Sequence, residues 1–290
     1  MNKLILGTVQ LGLDYGINNE KGKPSLQEAF SLLDQAYDQG IKVLDTAVAY
    51  GDAHQRIGEF HQQSGGKIFD VITKFSSLPE QYTSLREYIN SIINELHVGE
   101  LWGCLFHSYS SFVVGKEFIT ALIELKNNEK IKHLGVSVYT NQEFEAVLNE
   151  DHIDLIQFPF NVLDNLSQRG NLIKRAKAKG KILHARSIYL QGLFWKDTQS
   201  FPDNLKQLVP YVQTLQQLST TSKSTIQEIA LNYVAENKDI DGLVLGMETK
   251  EQLISNLTIL NKVVPQEVLV AIDENIHVKE NQLLNPANWK

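Results

Sequence analysis

Apolar positions along the chain fall into two alternating kinds of run. The first kind is short, rich in Ile, Leu and Val, and bounded by polar or glycine-containing turns. KLILGT, IKVLDT, IFDVITKF, LWGCLF, HLGVS, IDLIQF, KILHARS and DGLVLG are of this kind, eight in all, and they predict buried strands. The second kind spaces its apolar residues three and four apart. SLQEAFSLLDQAYDQG opens on Ser25, has Glu28 three residues later and stops at Gly40, a capping box followed by a glycine stop. REYINSIINELHVG, EFITALIELKNNEKI, NQEFEAVLNE, LSQRGNLIKRAKAKG, TIQEIALNYVAEN and TKEQLISNLTILN repeat the helical spacing. Strand and helix alternate about eight times, which predicts a parallel sheet with helices outside. Eight such units in 290 residues predict one (β/α)8 TIM barrel spanning 1–290. An open doubly wound sheet is the weaker reading, because no G-x-G-x-x-G follows the first strand. Residues 189–224 are too long for an ordinary loop after strand seven and are expected to carry an extra helix over the barrel mouth. The tail from Pro265 reads as a last helix with an extended end.

Composition narrows the class without changing this picture. Hydrophobic residues make up 42% and charged residues 21%, and the net charge is −7, which does not fit a nucleic-acid-binding domain. The lone cysteine, Cys104, cannot pair within the chain. The N-terminal apolar run is too short for a secretory signal, and no run approaches the length of a membrane span. A cytoplasmic protein, monomeric or weakly homo-oligomeric, is expected. His54 and His61 are read as belonging to a surface helix without metal-ligand spacing, and the run Lys174–Lys181 as a solvated helix end.

Strand C-terminal ends form the active face of such a barrel. Strand two ends in Asp45, in the stretch DTAVAYGD, and its loop carries Tyr50. Strand three supplies Lys74 after VIT, and strand four supplies His107 after CLF. Each has a structural reading: Asp45 as a helix cap, Tyr50 as packing, Lys74 snorkelling to water, His107 as a satisfied core histidine. Together at one mouth they read as a site. Asp45 is the counter-ion for Lys74, and the lysine cation is expected to lower the Tyr50 pKa, so that the phenol donates a proton to a substrate oxygen that His107 orients. Protonating a carbonyl oxygen makes chemical sense if hydride reaches the carbon. No side chain can deliver hydride, so a cofactor must.

GTVQLG, LDTAVAYG, VITK, LFH, LGVS, IQFPFN and GMETKEQLISN occur in an order and spacing that resembles the aldo-keto reductases from Leu6 to Asn256. The resemblance implies a (β/α)8 barrel, a nicotinamide cofactor, NADP(H) with NAD(H) possible, and a small carbonyl substrate. It implies a catalytic set of Asp45, Tyr50, Lys74 and His107, with Tyr50 and His107 facing substrate. It places Ser137 and Gln157 at the nicotinamide carboxamide, with Val138 where an asparagine is usual and Asn161 nearby. Arg186 stands where many members stack an aromatic ring, and a guanidinium can also lie flat on a ring. Thr8 joins the cofactor set; Ser187, Leu190 and Gly192 follow the diphosphate; Gly246, Thr249, Lys250, Gln252 and Asn256 follow the adenosine phosphate, with Gln252 where many members carry an arginine. Trp195 is assigned to the substrate pocket. The stretches LGTVQLGLDYGINNEKGKPS and AYGDAHQRIGEF resemble bacterial members, some of surface-polysaccharide pathways, which implies a sugar-derived carbonyl. Two other functions remain open on these residues: a nicotinamide-binding regulatory subunit, and Schiff-base chemistry at Lys74, which a paired Asp45 opposes.

Overall fold

A computed structural model describes residues 3–16 and 22–289; residues 17–21 of the stretch compared with bacterial members lie outside the described residues. Eight strands form one closed barrel: β1 Leu4–Gly7, β2 Val43–Asp45, β3 Asp70–Phe75, β4 Leu101–Phe106, β5 Ile131–Ser137, β6 Leu155–Pro159, β7 Ile182–Arg186 and β8 Gly242–Gly246. Every neighbour is parallel and sequential, and β8 closes on β1 with Leu4 opposite Leu243 and Gly7 opposite Gly246. All eight expected strands are present. The short apolar runs are near-continuously hydrophobic because both faces of a barrel strand are covered. Ile5, Ile72, Leu105, Leu155 and Val244 fill the interior, with Val43, Trp102 and Ile182 against them. The outward residues form a second, larger core with the helices.

The helices start where their caps are. Ser25, Thr140 and Thr225 each form a reciprocal capping box, with Glu28, Glu143 and Glu228, opening Leu26–Asp38, Asn141–Leu148 and Ile226–Ala235. Gly40 takes φ +82, the left-handed stop that ends the first of these. The long segment after β7 makes three 3-10 turns, Leu190–Trp195, Thr198–Ser200 and Asp203–Leu208, and then the expected extra helix Val209–Ser222. The last helix is Gln266–Asn275.

Two surface expectations hold only in part: Lys174, Arg175 and Lys179 are exposed around the helix end as expected, but other members of both sets are buried. His54 and His61 are buried: His54 Nε2 meets the Thr73 hydroxyl at 2.8 Å, and His61 receives the Phe69 N–H at Nε2 while Nδ1 meets the Leu96 carbonyl at 2.7 Å. They lie on the inner face of Ala53–Gln63, which the polar letters around them conceal. Lys181 is also buried; its ammonium donates to the Glu150 and Ile153 carbonyls at 2.8 and 2.5 Å, so it ties down the loop before β6.

Candidate active site

The ends of β2, β3 and β4 lie side by side, so Asp45, Lys74 and His107 come from adjacent strands. Lys74 Nζ donates to Asp45 Oδ2 at 2.5 Å and to the Thr46 carbonyl at 2.9 Å. Both side chains are almost completely buried. A dry ammonium needs such a partner. Asp45 does not cap a helix: the next one, Ala53–Gln63, begins after Asp52. The strand end itself is held by Thr8, whose N–H and hydroxyl both donate to the Asp45 carbonyl, at 3.0 and 3.1 Å.

Tyr50 is carried to this pair by a close backbone fit. A Cβ on Gly12 would lie 1.8 Å from the Tyr50 carbonyl oxygen, and one on Gly51 would lie 2.3 Å from the Gly12 oxygen. Only glycine lets the two segments touch, and Gly51 also needs its φ of +56. The result sets Lys74 Nζ 5.2 Å from the Tyr50 ring centroid and the His107 ring edge-on to Tyr50 at 5.7 Å.

Burial raises the Tyr50 pKa, and the Lys74 charge pulls it only part of the way back. The expected lowering is therefore not what the site shows. A phenol in this state keeps its proton at neutral pH, which a proton donor must do. Burial works against the Lys74 ammonium, but Asp45 and Tyr50 outweigh it and raise its pKa. It stays charged and is no free nucleophile. Burial and then Lys74 push His107 down to about 4, so its imidazole is neutral.

The other strand ends complete the mouth. Ser137 and Gln157 are register partners on β5 and β6. Gln157 Nε2 donates to Asp45 Oδ1 at 2.7 Å, while its buried Oε1 has no partner among the described residues. Arg186 ends β7 with its guanidinium on the Tyr139 ring, Cζ 4.0 Å from the centroid. Beyond it, Ser187, Leu190, Gln191 and Gly192 all take positive φ, the kind of local strain that gathers at ligand loops. Asn161 Nδ2 holds this loop through the Ser187 carbonyl at 3.1 Å, while Asn161 Oδ1 caps the Leu163 and Asp164 N–H groups.

Several expected positions also make contacts within the protein. Thr8 is fully buried and serves Asp45. Thr249 caps Lys250–Leu260 by accepting from Gln252 N, and Gln252 Oε1 accepts from Glu248 N at 2.7 Å, so Gln252 is engaged in the cap. Asn256 accepts the Tyr189 hydroxyl at 2.8 Å. Trp195 packs edge-on against Tyr189 at 5.3 Å and is 41% exposed; among the described residues its ring contact is with Tyr189 and not with Tyr50 or His107. Gly246 is pressed against Gln10, whose amide would meet a Cβ at 2.5 Å. The sequence reading passed over Gln10, Tyr139 and Thr46. Only the GTVQLG and GVSVY contexts could have flagged the first two.

The profile of the aldo/keto reductase family matches residues 3–277. The chain belongs to the aldo/keto reductase family. This reductase is 23% identical over 279 residues to an aldo-keto reductase of Gibberella moniliformis, covering 86% of this chain and 83% of the relative. It is 21% identical over 298 residues to an NADH-specific methylglyoxal reductase of Escherichia coli, covering 90% of each. Its fold matches a holo-form aldo-keto reductase from Bacillus halodurans with a TM-score of 0.76 at 18% identity, over 96% and 94% of the two chains. It matches a glycerol dehydrogenase from Gluconobacter oxydans with a TM-score of 0.72 at 17% identity, over 99% and 94%. The reductase is an NAD(P)H-dependent oxidoreductase of carbonyl compounds. The residues present are compatible with a nicotinamide: Gln157 Oε1 is a buried acceptor with no partner among the described residues, the kind of group a carboxamide N–H2 would satisfy. No helix among the described residues is long and apolar enough to cross a membrane.

Proposed function

We propose that this reductase converts an aldehyde or ketone to the alcohol with Tyr50 as the general acid. The observation that carries the reading is the buried Lys74–Asp45 pair with Tyr50 and His107 at three consecutive strand ends. The bound reduced nicotinamide supplies hydride to the carbonyl carbon. Tyr50 gives its proton to the carbonyl oxygen, and Lys74 stabilises the phenolate left behind. Asp45 holds Lys74 charged and in place. Neutral His107 donates a hydrogen bond to the same oxygen and fixes its direction. Ser137 and Gln157 hold the carboxamide. Arg186, with one face on Tyr139, offers its other face to the nicotinamide ring. A fixed cation there disfavours the positively charged oxidised ring, which supports reduction as the working direction. The Ser187–Gly192 backbone takes the diphosphate, and the segment from Gly246 to Asn256 takes the adenosine end. A sugar-derived carbonyl remains within this substrate class.

Cofactor discrimination is weak in this reading, because Gln252 is tied into the helix cap and Lys250 is the nearby cation of the motif. NADPH binds, and NADH is accepted; their dissociation constants should differ by less than about a thousandfold.

The test is turnover with Tyr50→Phe and Lys74→Met, singly and together, with cofactor binding followed by fluorescence. Tyr50→Phe should lower kcat by about 10²–10⁴-fold and leave cofactor affinity within a few-fold. The two losses should not add, because both act on one proton transfer. Near-wild-type turnover of Tyr50→Phe would refute the assignment.

A further inference from the structure

Tyr139 stands two residues past β5, which ends at Ser137, and its peptide is held at both ends. Its N–H donates to Glu143 Oε2 at 2.6 Å, and its carbonyl accepts from Arg169 Nη2 at 2.6 Å. Arg169 is itself fixed. It grips both oxygens of Asp164 at 2.6 and 2.7 Å and donates from Nη1 to Asn141 Oδ1 at 2.7 Å. Both members of that ion pair are buried. An aromatic side chain on so fixed a peptide is a rigid platform, with few torsions left to move. The Arg186 guanidinium lies on it, Cζ 4.0 Å from the ring centroid. Two further bonds set its orientation, from Nη2 to the Val138 carbonyl at 3.1 Å and from Nη1 to the Ser187 hydroxyl at 3.3 Å.

The strand register places this pair beside the nicotinamide pocket. His184 is opposite Gln157, and Arg186 is opposite Pro159. Residues two apart along a strand share a face. Arg186 therefore rises from the interior face one step nearer the mouth than Gln157, whose open Oε1 marks the carboxamide pocket. One face of the guanidinium is covered by Tyr139, and the other is the face assigned above to the nicotinamide ring. The oxidised ring carries a positive charge and the reduced ring none. A neighbouring cation separates the two forms only as far as it is kept in place, and a free arginine has ample rotamer freedom to swing into water. The negative face of an aromatic ring keeps it there. We propose that Tyr139 is a positioning residue: its ring, anchored through Glu143 and the Asp164–Arg169 pair, holds the Arg186 guanidinium against the nicotinamide and so sets how strongly the enzyme prefers reduced to oxidised cofactor. This rests on the place given to Arg186 under the proposed function and deepens it.

The experiment is an equilibrium titration of the full chain with NADH and NAD⁺, then with NADPH and NADP⁺, with no carbonyl compound present. The proteins are wild type, Arg186→Met, Tyr139→Leu, Tyr139→Gln, Tyr139→Phe and the double variant Tyr139→Leu with Arg186→Met. The quantity read is the ratio of the oxidised to the reduced dissociation constant. Contacts to the diphosphate and the adenosine cancel in it, because both forms share them. Arg186→Met should lower the ratio by about 5-fold where water screens the two charges and by up to about 10³-fold in a partly dry site. The two variants without a ring should lower it by about 2- to 30-fold, the worth of a cation on an aromatic face. Tyr139→Phe keeps that face and should hold the wild-type ratio. Adding Tyr139→Leu to Arg186→Met should change nothing more, because both act through one guanidinium. Circular dichroism checks folding, and Tyr139→Gln carries the comparison if Tyr139→Leu does not fold. A wild-type ratio in the ring-less variants, with a lowered one in Arg186→Met, overturns the proposal and leaves the place of Arg186 standing. An unchanged ratio in Arg186→Met overturns both. A further fall when Tyr139→Leu is added to Arg186→Met also overturns it, since the loss would then bypass the guanidinium. No turnover is read, so the result is independent of the Tyr50 assignment.

Discussion

Gly12→Ala is the perturbation that most directly probes how the site is built. The new methyl would sit 1.8 Å from the Tyr50 carbonyl oxygen and 2.8 Å from the Ala53 nitrogen, both backbone atoms that cannot rotate aside, and real Cβ contacts keep beyond 3.0 Å. The loop bearing Tyr50 must therefore retreat by at least about 1.2 Å (1.8 against 3.0 Å). A displacement of about 1 Å at a reacting group costs roughly 10²-fold in rate. Overpacking of this kind also costs about 1–3 kcal/mol of stability. Gly99→Ala is the control, since a Cβ there meets nothing within 4 Å. Purified Gly12→Ala, checked for folding by circular dichroism, should show kcat down by about 10²-fold with cofactor affinity held within a few-fold, while Gly99→Ala matches wild type. A folded Gly12→Ala with kcat within threefold of wild type would show that the contact does not position Tyr50.

Three further outcomes follow from other parts of the structure. His184 is buried, stacked on Trp102 at 5.5 Å with no hydrogen-bond partner for Nδ1 among the described residues, and burial depresses it to about 4. The unfolded chain thus binds the extra proton first, so stability present above pH 6.5 is lost as pH falls from 6.5 towards 4, by up to about 3 kcal/mol from this group; denaturant titrations across that window check it, and a flat profile would count against it. Asp164→Asn strips the counter-ion from buried Arg169, which also holds the Tyr139 carbonyl, and should cost about 3–5 kcal/mol by thermal unfolding. Gln252→Arg should tighten NADPH relative to NADH by about 10-fold or more, read from paired dissociation constants.

The barrel was legible because its eight strands are apolar on both faces and its helices announce their own starts; Ser25 with Glu28 is enough to place one end. The residues proposed for catalysis were legible as a cluster because they interrupt buried strands at their C-terminal ends, where a polar letter has no packing reason to be. Duties set by contacts distant in sequence were not legible. Thr8 has the same letter whether it faces a ligand or reaches 37 residues along the chain to the Asp45 carbonyl. Nothing near His61 in sequence tells that the Leu96 carbonyl and the Phe69 N–H wait for its two nitrogens. The Tyr50 pKa was misjudged for a related reason: the lysine is visible in the pattern, but the depth of burial that outweighs it is a property of the closed mouth.

The Gln157 amide has one end on Asp45 and the other open. An amide is planar, so its ends cannot be set separately. A donor arriving at Oε1 locks Nε2 onto the carboxylate, and the carboxylate in turn anchors the lysine beneath the phenol. Occupancy of one pocket is thereby written into the rigidity of the next, and the effect runs both ways, as any coupling between two sites must. Removing the Asp45 carboxylate frees the amide to turn over and present N–H to a partner that itself brings N–H. The proton-donating apparatus and the pocket behind it would then fail together.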